Sequence, residues 1–401
     1  MTICKIWDAD YPWDIRVEKV VDSLRAAGHS VHLVCRNQGR RARVEQDGGF
    51  TIHRLPAISP ALGPLHAMAN FPHPLSPVWL RSIASVVRRS RADLILVRDI
   101  PLALLAVAVG RRHRIPVMLD MAENYPAMLS DRLRYTPTGP VGRLVRQPAL
   151  ARLVERVALR LVDHIVVVVE ESRERLLGAG VAPARLSVVC NTPRLERWSP
   201  GGTPDPSAGA GTATRVVYLG NLDGSRGVDV AIRAVQRLAT SNGRVSLTVI
   251  GDGPSIGGLR ALTSALGVGD RVRITGRLPF GDVQAELARA DVGLIPHYST
   301  EAWNSTIPNK LFDYMMLGLP VVVSDARPTA RIVRDTACGE VFRDRNVEDL
   351  ARCIAALGQP EHRAARGANG HAAVHQRYNW THDSRVFVEA VDAVVRRASS
   401  S

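Results

Sequence analysis

Short apolar runs alternate with amphipathic stretches along almost the whole chain. Ten of these runs have the length of β-strands and are apolar at successive positions. They lie at residues 2–7, 31–35, 93–97, 116–120, 164–169, 215–220, 246–251, 271–276, 292–296 and 320–325. Strands that are apolar on both faces and separated by helices indicate parallel sheets with helices on each side. The pattern therefore predicts an α/β protein with doubly wound sheets.

Two helices can be predicted from periodicity and end signals. Four aliphatic residues recur at helical spacing between residues 16 and 27, and Gly28 follows as a stop signal. A later helix is predicted to begin near Pro308 and to end before Gly318 and Pro320. Because the strand at 292–296 precedes it, the start of this helix is expected at the carboxyl edge of a sheet.

One segment interrupts the alternation of strands and helices. Residues 199–213, SPGGTPDPSAGAGTA, are rich in proline, glycine and small residues and cannot build a core. The sequence therefore predicts a first Rossmann-like domain at 1–195, a linker at 196–213, a second Rossmann-like domain at 214–375 and a C-terminal helix within 376–401. Because ligands bind at the carboxyl ends of parallel strands, we expect the site in a cleft between the domains.

Composition limits the class of protein. About half of the residues are apolar, 46%, but no run approaches the roughly 18 residues that a membrane helix needs. The N-terminal residues lack the pattern of a signal peptide, so a cytoplasmic location is expected. The five cysteines are scattered, which predicts free thiols rather than disulfides or a zinc site.

The net charge of +14 indicates partners that carry phosphate, an anionic membrane surface or nucleic acid. Aromatic residues make up only 5% of the chain, which is a poor basis for a surface that stacks bases. The segment at 132–161 is basic and partly amphipathic. It is expected either to cover the first domain as an ordinary helix or to lie on an anionic membrane.

Lys310 is notable because the chain has three lysines against forty-nine arginines. It stands at the predicted start of a helix, where free backbone N–H groups favour an anion such as a diphosphate. An ammonium approaches phosphate as a compact charge, and Asp313, three residues on, is placed to accept ribose hydroxyls. The alternative is an ordinary ion pair between these two side chains on the surface.

Several segments together resemble one enzyme family. PNKLFDYMMLGLPVVVSD, at 308–325, resembles the C-terminal signature of the family 4 retaining glycosyltransferases, whose fold is GT-B. Segments that resemble further parts of that family lie at 8–34, 96–101, 119–129, 218–238, 249–254, 274–296 and 378–380. The resemblance implies an acceptor-side first domain, a nucleotide-sugar-binding second domain and a C-terminal helix that crosses back to the first.

The resemblance also implies the site residues. The donor-binding residues are Gly220, Asn221, Arg226, Gly227, Arg277, Leu278, Ser305, Asn309, Lys310 and Asp313. The acceptor-side residues are Arg16, Asp99, Glu123 and Asn124. The catalytic residues are Asp99, Glu123, Arg226 and Lys310, and no residue is expected to bind a metal. Within this set, Arg226 and Lys310 are assigned to the diphosphate and Asp313 to the ribose.

The function so implied is a metal-independent hexosyltransferase that moves a sugar from a nucleoside diphosphate sugar, with UDP-sugars first, to an acceptor hydroxyl with retention. No cofactor is expected beyond this co-substrate, and peripheral association with an anionic membrane remains open. Three departures from the family pattern, at Ala122, Asn221 and Ser305, keep an epimerase or a nucleotide-sugar-binding protein without transferase activity as alternatives. A basic nucleic-acid-binding protein is the other alternative. The acceptor, the donor sugar and base, and the oligomeric state are not specified by the sequence.

Overall fold

The computed structural model describes residues 1–12, 14–57, 73–136, 139, 142–143, 146–197, 214–241 and 243–399. These residues fall into two compact units. The first unit comprises Met1–Pro126, Gln147–Asn191 and Thr381–Ser401, and the second comprises Ala127–Arg146 and Thr192–Trp380. The predicted linker at 196–213 lies outside the described residues except at 196 and 197.

The first unit is built on one eight-stranded sheet. Its strands are β1 (Thr2–Ile6), β2 (Ser30–Cys35), β3 (Val44–Asp47), β4 (Phe50–Arg54), β5 (Leu94–Arg98), β6 (Val117–Met121), β7 (His164–Val167) and β8 (Leu186–Val188). Their order is β3-β4-β2-β1-β5-β6-β7-β8, and of the pairs in the described sheet only β3 with β4 is antiparallel. The order reverses between β1 and β5, so the carboxyl ends of these two strands form the switch point where ligands bind in such sheets.

Helices flank this sheet in the chain order that a doubly wound fold requires. They are α1 (Ile15–Ala26), α2 (Pro77–Ser90), α3 (Ala103–His113), α4 (Tyr125–Tyr135), α5 (Pro148–Leu161) and α6 (Glu170–Gly178). The predicted first helix is confirmed as α1, which begins after the N-cap Asp14 and ends before Gly28, where φ is +81°. Most of α4 belongs to the second unit, because the division falls after Pro126.

The second unit has a six-stranded sheet in which every described pair is parallel. Its strands are β9 (Thr214–Leu219), β10 (Val245–Ile250), β11 (Val272–Gly276), β12 (Val292–Ile295), β13 (Val321–Ser324) and β14 (Gly339–Phe342). The order is β11-β10-β9-β12-β13-β14, so the switch point lies between β9 and β12. The helices that follow in this unit are α7 (Val228–Thr240), α8 (Ile256–Ala265), α9 (Phe280–Ala288), α10 (Lys310–Met316), α11 (Arg327–Thr336), α12 (Val347–Ala356) and α13 (Pro360–Gln376). The last helix, α14 (Trp380–Ser399), belongs to the first unit from Thr381 onward.

The predicted fold class is confirmed, and all ten predicted strands are present. Four further strands, β3, β4, β8 and β14, were not predicted. The two-sided apolar pattern marks central parallel strands, whereas β3 reads VEQD and has no buried residue. β8 has only three residues, and β14 reads GEVF with one buried residue.

The helix that carries Lys310 is shorter than predicted. It begins at Lys310, so Pro308 lies before the N-cap Asn309 rather than in the first turn. Its end agrees with the prediction, because Gly318 follows the C-cap with φ at +68°. All seven residues of α10 are buried. None of the helices in the described part of the chain combines the length and apolar content that crossing a bilayer requires.

Candidate functional site

The carboxyl edge of the second sheet brings together three of the predicted donor-side segments. β9 runs into Gly220 and then into the 3₁₀ turn Gly224–Arg226. β12 is followed by His297, and α10 begins at Lys310. Because β9 and β12 are neighbours at the switch point, their loops converge there.

Two glycines allow these segments to approach closely. Gly227 has φ at +66°, and a Cβ there would lie 1.9 Å from the carbonyl oxygen of Pro296. Gly220 has φ at +141°, and a Cβ there would lie 2.8 Å from Nζ of Lys310. Any side chain at Gly227 would separate the β9 loop from the segment after β12, and one at Gly220 would displace the amine.

The amine of Lys310 is buried against neutral groups. Its side chain is 8% exposed, and Nζ lies 3.8 Å from the centroid of the Tyr218 ring. Nζ also lies 3.3 Å from Nε2 of His297. Burial lowers the pKa of Lys310 well below its usual value, and the nearby Arg226 lowers it further. Among the described residues, no carboxylate lies within ion-pair distance of this amine, so the amine is available to a ligand.

Arg226 is the second cation of the edge, and it is held on two sides. Its Nε donates to Oδ2 of Asp223 at 2.9 Å, and its guanidinium lies 4.4 Å from the Trp303 ring centroid. Trp303 in turn donates from Nε1 to the hydroxyl of Ser225 at 3.2 Å. Burial alone would raise the pKa of Asp223, but Arg226 and hydrogen bonds from Ser225 lower it. The guanidinium is therefore fixed in direction but retains unused donors.

His297 lies between the two cations and is almost fully buried, at 1% exposed. Its ring centroid is 4.1 Å from that of Trp303. Burial lowers the pKa of His297 well below its usual value, and the charges of Lys310 and Arg226 act in the same direction. The imidazole is therefore neutral at physiological pH. Its Nδ1 is buried and has no hydrogen-bond partner in the described structure.

The remaining residues of α10 and its preceding loop are also placed at this edge. Asp313 lies one turn after Lys310 and is 5% exposed, so the alternative of a solvent-exposed surface ion pair is wrong. Asn309 is the N-cap of α10. Ser305 is buried, and its hydroxyl donates to the carbonyl of Glu301 at 2.8 Å. Ser305 thus stands where the family has its first glutamate, and its short side chain bonds to the backbone four residues earlier.

Three other predicted donor-side residues follow β9 and β11. Asn221 is exposed, and its Nδ2 lies 3.4 Å from Oδ2 of Asp223. Arg277, after β11, is 86% exposed at its side chain, and its Nε is 3.8 Å from Oδ2 of Asp252. Leu278 is partly buried beside it. Arg277 therefore projects into solvent and is weakly tethered.

In the first unit, Arg16 is a buried partner of Asp120. It is 1% exposed, and its Nη2 and Nε donate to Oδ1 of Asp120 at 2.7 and 3.1 Å. Burial would raise the pKa of Asp120, but Arg16 and Lys5 lower it to about 2. The expectation that Arg16 contacts an acceptor stays a prediction, and the structure shows its guanidinium paired with an internal carboxylate. Arg16 acts on this edge by fixing the carboxyl end of β6.

Asp99 lies at the same carboxyl edge of the first sheet as Asp120, but its pKa is shifted in the opposite direction. It directly follows β5, has φ at +57° and is 8% exposed. Its Oδ1 accepts the backbone N–H of Ala122 at 2.9 Å. Burial raises the pKa of Asp99 to about 7, and the neighbouring Glu123 adds to the effect of burial while Arg98 opposes it. The carboxyl group therefore gains and loses its proton near neutral pH.

Arg98 occupies the position where the resemblance expects histidine. Its Nη1 donates to Oδ1 of Asp14 at 2.8 Å, and its guanidinium lies 4.7 Å from the Trp7 ring centroid. Glu123 is partly buried and Asn124 is 2% exposed, both in the segment between β6 and α4. The acceptor-side residues thus lie around the carboxyl ends of β5 and β6.

No group of three or more histidine, cysteine, aspartate or glutamate side chains with metal-binding geometry occurs among the described residues. The five cysteines are free thiols, and four of them are buried. Burial raises the pKa of each of the five thiols, which favours the protonated form at neutral pH.

Two family profiles match the chain, one in each unit. Residues 14–192 match the family described as glycosyl transferase 4-like domain, and residues 213–359 match glycosyl transferases group 1. Each of these two regions therefore resembles a glycosyltransferase domain. The two matched regions contain the strands and loops that carry the residues described above, Arg16 to Asn124 in the first and Gly220 to Asp313 in the second.

Curated relatives are about a quarter identical to this chain over the regions that align. A D-inositol 3-phosphate glycosyltransferase from Nocardia farcinica is 26% identical over 62% of this chain and 56% of its own length. A GDP-mannose-dependent phosphatidylinositol monomannoside mannosyltransferase from Mycobacterium tuberculosis is 28% identical over 44% of this chain and 49% of its own. The chain thus spans about half the length of the curated relatives it matches.

Solved structures extend the comparison of the glycosyltransferase fold to nearly the full chain. A sucrose-phosphate synthase from Thermosynechococcus elongatus has a TM-score of 0.76 at 18% identity, with 99% of each chain covered. Anabaena HepE in complex with UDP has a TM-score of 0.72 at 15% identity, with 98% of this chain and all of its own covered. At these identities the comparison establishes the fold.

Sequence reasoning missed four residues of the donor-side edge, namely Tyr218, Asp223, His297 and Trp303. His297 directly follows a strand that was predicted correctly, and the rule that ligands bind at strand carboxyl ends could have pointed to it. Trp303 and Asp223 gave no such signal, because their role depends on contacts with Arg226 across the loop. The position of a tryptophan in a loop does not by itself predict what its ring covers.

Proposed function

We propose that the chain is a retaining glycosyltransferase that uses a nucleoside diphosphate sugar, with UDP-sugars first, as donor. The observation that carries the proposal is the pair of cations at the carboxyl edge of β9 and β12. Lys310 has no carboxylate partner there, and Arg226 is oriented by Asp223 and Trp303. Burying a lysine without a counter-ion is unfavourable, so its retention is best explained by an anionic ligand.

In the proposed reaction, the bond from the sugar's anomeric carbon to the diphosphate oxygen breaks and a bond to the acceptor oxygen forms on the same face. The departing diphosphate takes up the acceptor's proton. Negative charge on the diphosphate grows as its bond breaks, and Arg226 and Lys310 are placed to stabilise that charge. The proposal assigns this neutralisation to protein cations and includes no metal ion.

The nucleoside end of the donor is assigned to α10. Asp313, one turn after Lys310, is proposed to accept hydrogen bonds from the ribose hydroxyls. Ser305, whose hydroxyl bonds to the carbonyl of Glu301, cannot recognise the sugar as a glutamate would. Recognition of the sugar therefore rests on other groups of this edge.

On the acceptor side, Asp99 and Glu123 are proposed to contact the acceptor hydroxyls, with Asn124 beside them. Asp99 can donate or accept a hydrogen bond near pH 7, because burial raises its pKa to about 7. Such a group adapts to a hydroxyl whose proton leaves during the reaction. Arg16 is assigned the role of holding Asp120 and the end of β6 in place.

The proposal is tested by calorimetric titration of the full chain with UDP, GDP, dTDP and ADP. We expect one nucleotide to bind at least tenfold more tightly than the others. The matching nucleotide sugar is then incubated with candidate hydroxyl acceptors, and the anomeric configuration of the product is read by NMR. A chain that binds none of the four nucleotides would contradict the proposal. One relative is GDP-mannose-dependent and one similar structure contains UDP, so the panel includes both bases.

We also propose that α5 docks on an anionic bilayer. One face of α5 packs Ala151, Ala158 and Leu159 into the first unit, while Leu150 and Leu153 are 58% and 54% exposed. Exposed arginines on the same solvent-facing side are Arg152, Arg156 and Arg160. Apolar side chains flanked by cations and free of exposed carboxylates fit an anionic lipid surface.

This location is tested by sedimentation with lipid vesicles. We expect the chain to sediment with vesicles that contain phosphatidylglycerol and to remain in solution with vesicles of phosphatidylcholine alone. Replacing Leu150 and Leu153 together by serine is expected to reduce sedimentation severalfold without changing nucleotide binding. Equal sedimentation of the wild type with both vesicles would contradict the assignment.

A further inference from the structure

Lys310 is held by neutral partners, and this has a consequence for how the donor binds. Buried lysines in proteins are commonly paired with a carboxylate, which stabilises the ammonium but cancels its field. Here Nζ lies between the Tyr218 ring, at 3.8 Å from its centroid, and Nε2 of His297, at 3.3 Å. Neither partner carries a formal charge at neutral pH.

The charged and titratable groups around this amine come from every neighbouring segment. Tyr218 lies on β9, Asp223 and Arg226 follow it, His297 follows β12, and Asp313 lies on α10 itself. Asp223 is engaged by Arg226 at 2.9 Å and by the Ser225 hydroxyl. Burial is the largest cause that lowers the pKa of Lys310, Arg226 acts in the same direction, and Asp223 and Asp313 act in the opposite direction.

His297 is the group that sets the direction of the amine. Its ring is fixed by Trp303, whose centroid is 4.1 Å away, and its carbonyl accepts a hydrogen bond from the hydroxyl of Ser324. With the ring proton on Nδ1, Nε2 accepts an N–H of Lys310 whether the lysine is charged or not. His297 thus orients Nζ of Lys310 while the imidazole itself stays neutral.

We propose that His297 is a positioning residue that holds Lys310 as a largely uncharged amine in the free chain, and that a proton is taken up when the donor diphosphate binds. This inference rests on the proposed function and concerns the same site. The proton comes from solvent and forms a bond with the lone pair of Lys310 Nζ. His297 remains neutral throughout, and the new ammonium donates to the diphosphate oxygens.

The direct test is the number of protons that the wild type takes up per nucleotide bound. The nucleotide found in the binding panel is titrated by calorimetry between pH 7 and 9 in pairs of buffers with different enthalpies of ionisation. Above pH 7.5 the diphosphate is almost fully ionised, since its second pKa is near 6, and it contributes little to the count. We expect an uptake of roughly 0.5–1 proton somewhere in this interval, because Lys310 gains a proton on binding.

A matched pair of variants separates positioning from simple packing. His297→Gln supplies a neutral acceptor at about the position of Nε2. His297→Glu supplies a charged acceptor on a side chain of the same shape as glutamine. We expect His297→Gln to keep the proton uptake and most of the affinity. We expect His297→Glu to abolish the uptake and to weaken nucleotide binding tenfold or more, because the carboxylate keeps Lys310 charged in the free chain and cancels its field.

The outcomes separate this inference from the proposed function. Nucleotide binding by the wild type without proton uptake at any pH from 7 to 9 would overturn the inference and leave the proposed donor site standing. Equal loss of affinity in both variants with unchanged uptake would assign His297 a purely structural role. Absence of any nucleotide binding by the wild type would instead overturn the proposed function itself.

Discussion

Replacement of Lys310 by methionine is expected to remove most nucleotide affinity while leaving the folded chain at least as stable as the wild type. Loss of a charged hydrogen bond to the diphosphate weakens binding by about 1.5–3 kcal/mol, or roughly 10- to 150-fold in Kd. A methionine fills similar volume beside the Tyr218 ring without a buried amine. Titration calorimetry and urea unfolding of both proteins measure the two effects.

The expected stability change follows from the direction of the lysine's pKa. Burial lowers the pKa of Lys310 in the folded chain, so between the folded and unfolded pKa values the unfolded chain binds more protons. Stability contributed by this group therefore rises with pH and is lowest in acid. Lys310→Met removes this penalty, and we expect an increase in the free energy of unfolding of zero to about 2 kcal/mol at pH 7.

Lys19→Met is the matched control for this prediction. Lys19 is also buried, at 3% exposed, but it lies on α1 in the first unit and donates to Oδ1 of Asn191 at 2.9 Å. We expect this variant to bind the nucleotide as the wild type does. A Lys310→Met protein with wild-type affinity would place the diphosphate elsewhere, and one that is strongly destabilised would make Lys310 a structural residue.

The position of Lys310 also explains why this site has a lysine in a chain that otherwise uses arginine. Its Nζ sits where even the Cβ of an alanine at Gly220 would come within 2.8 Å. A guanidinium is broader and carries five N–H donors that need partners, and the neutral surroundings of this amine offer few. The sequence indicated that this lysine was unusual, but the cause lies in the space left by a glycine ninety residues earlier.

The central strands and the donor-side segments were predictable because their signals are local. An apolar run marks a buried parallel strand, and Pro308 and Gly318 bracket α10 within two residues. Strands β3 and β8 were missed because a polar edge strand or a strand of three residues lacks that pattern. The strand order and its switch points became visible only when pairing was known.

The contacts of each candidate side chain were less predictable, because they depend on residues that are distant in the sequence. Arg16 was predicted to contact a ligand, and its guanidinium donates to Asp120, more than a hundred residues away, at 2.7 Å. His297 was overlooked although it directly follows β12. Local sequence places a residue at the right edge of the right sheet, and only the fold decides which charges there are already neutralised.

Asp99 and Asp120 lie at the same edge of the first sheet, and their substitution by asparagine is expected to have opposite effects on stability. Burial raises the pKa of Asp99 to about 7, whereas Arg16 and Lys5 overcome burial and lower that of Asp120 to about 2. The two aspartates have the same chemistry and differ in their ion pairs. Asp120 accepts hydrogen bonds from Arg16 at 2.7 Å, whereas Oδ2 of Asp99 lies 3.6 Å from Nε of Arg98.

For Asp99, the folded pKa is above the unfolded value of about 3.9. Between pH 4 and 7 the folded chain therefore binds more protons, and the stability that this group contributes falls as pH rises through the interval. Asp99→Asn removes the titrating group but keeps an oxygen that can accept the N–H of Ala122, and asparagine tolerates the positive φ. We expect the variant to match the wild type near pH 4 and to be more stable at pH 8 by on the order of 2–4 kcal/mol.

For Asp120, the folded pKa is below the unfolded value, so its contribution to stability is present at neutral pH and is lost as pH falls toward 2. Asp120→Asn leaves the guanidinium of Arg16 and the amine of Lys5 buried without a counter-charge. We expect a loss of about 3–5 kcal/mol at pH 7. Urea unfolding of the wild type and both variants at pH 4, 6 and 8 measures the two effects. A loss of stability in Asp99→Asn at pH 8 would show that its carboxylate is ionised and paired in the folded chain.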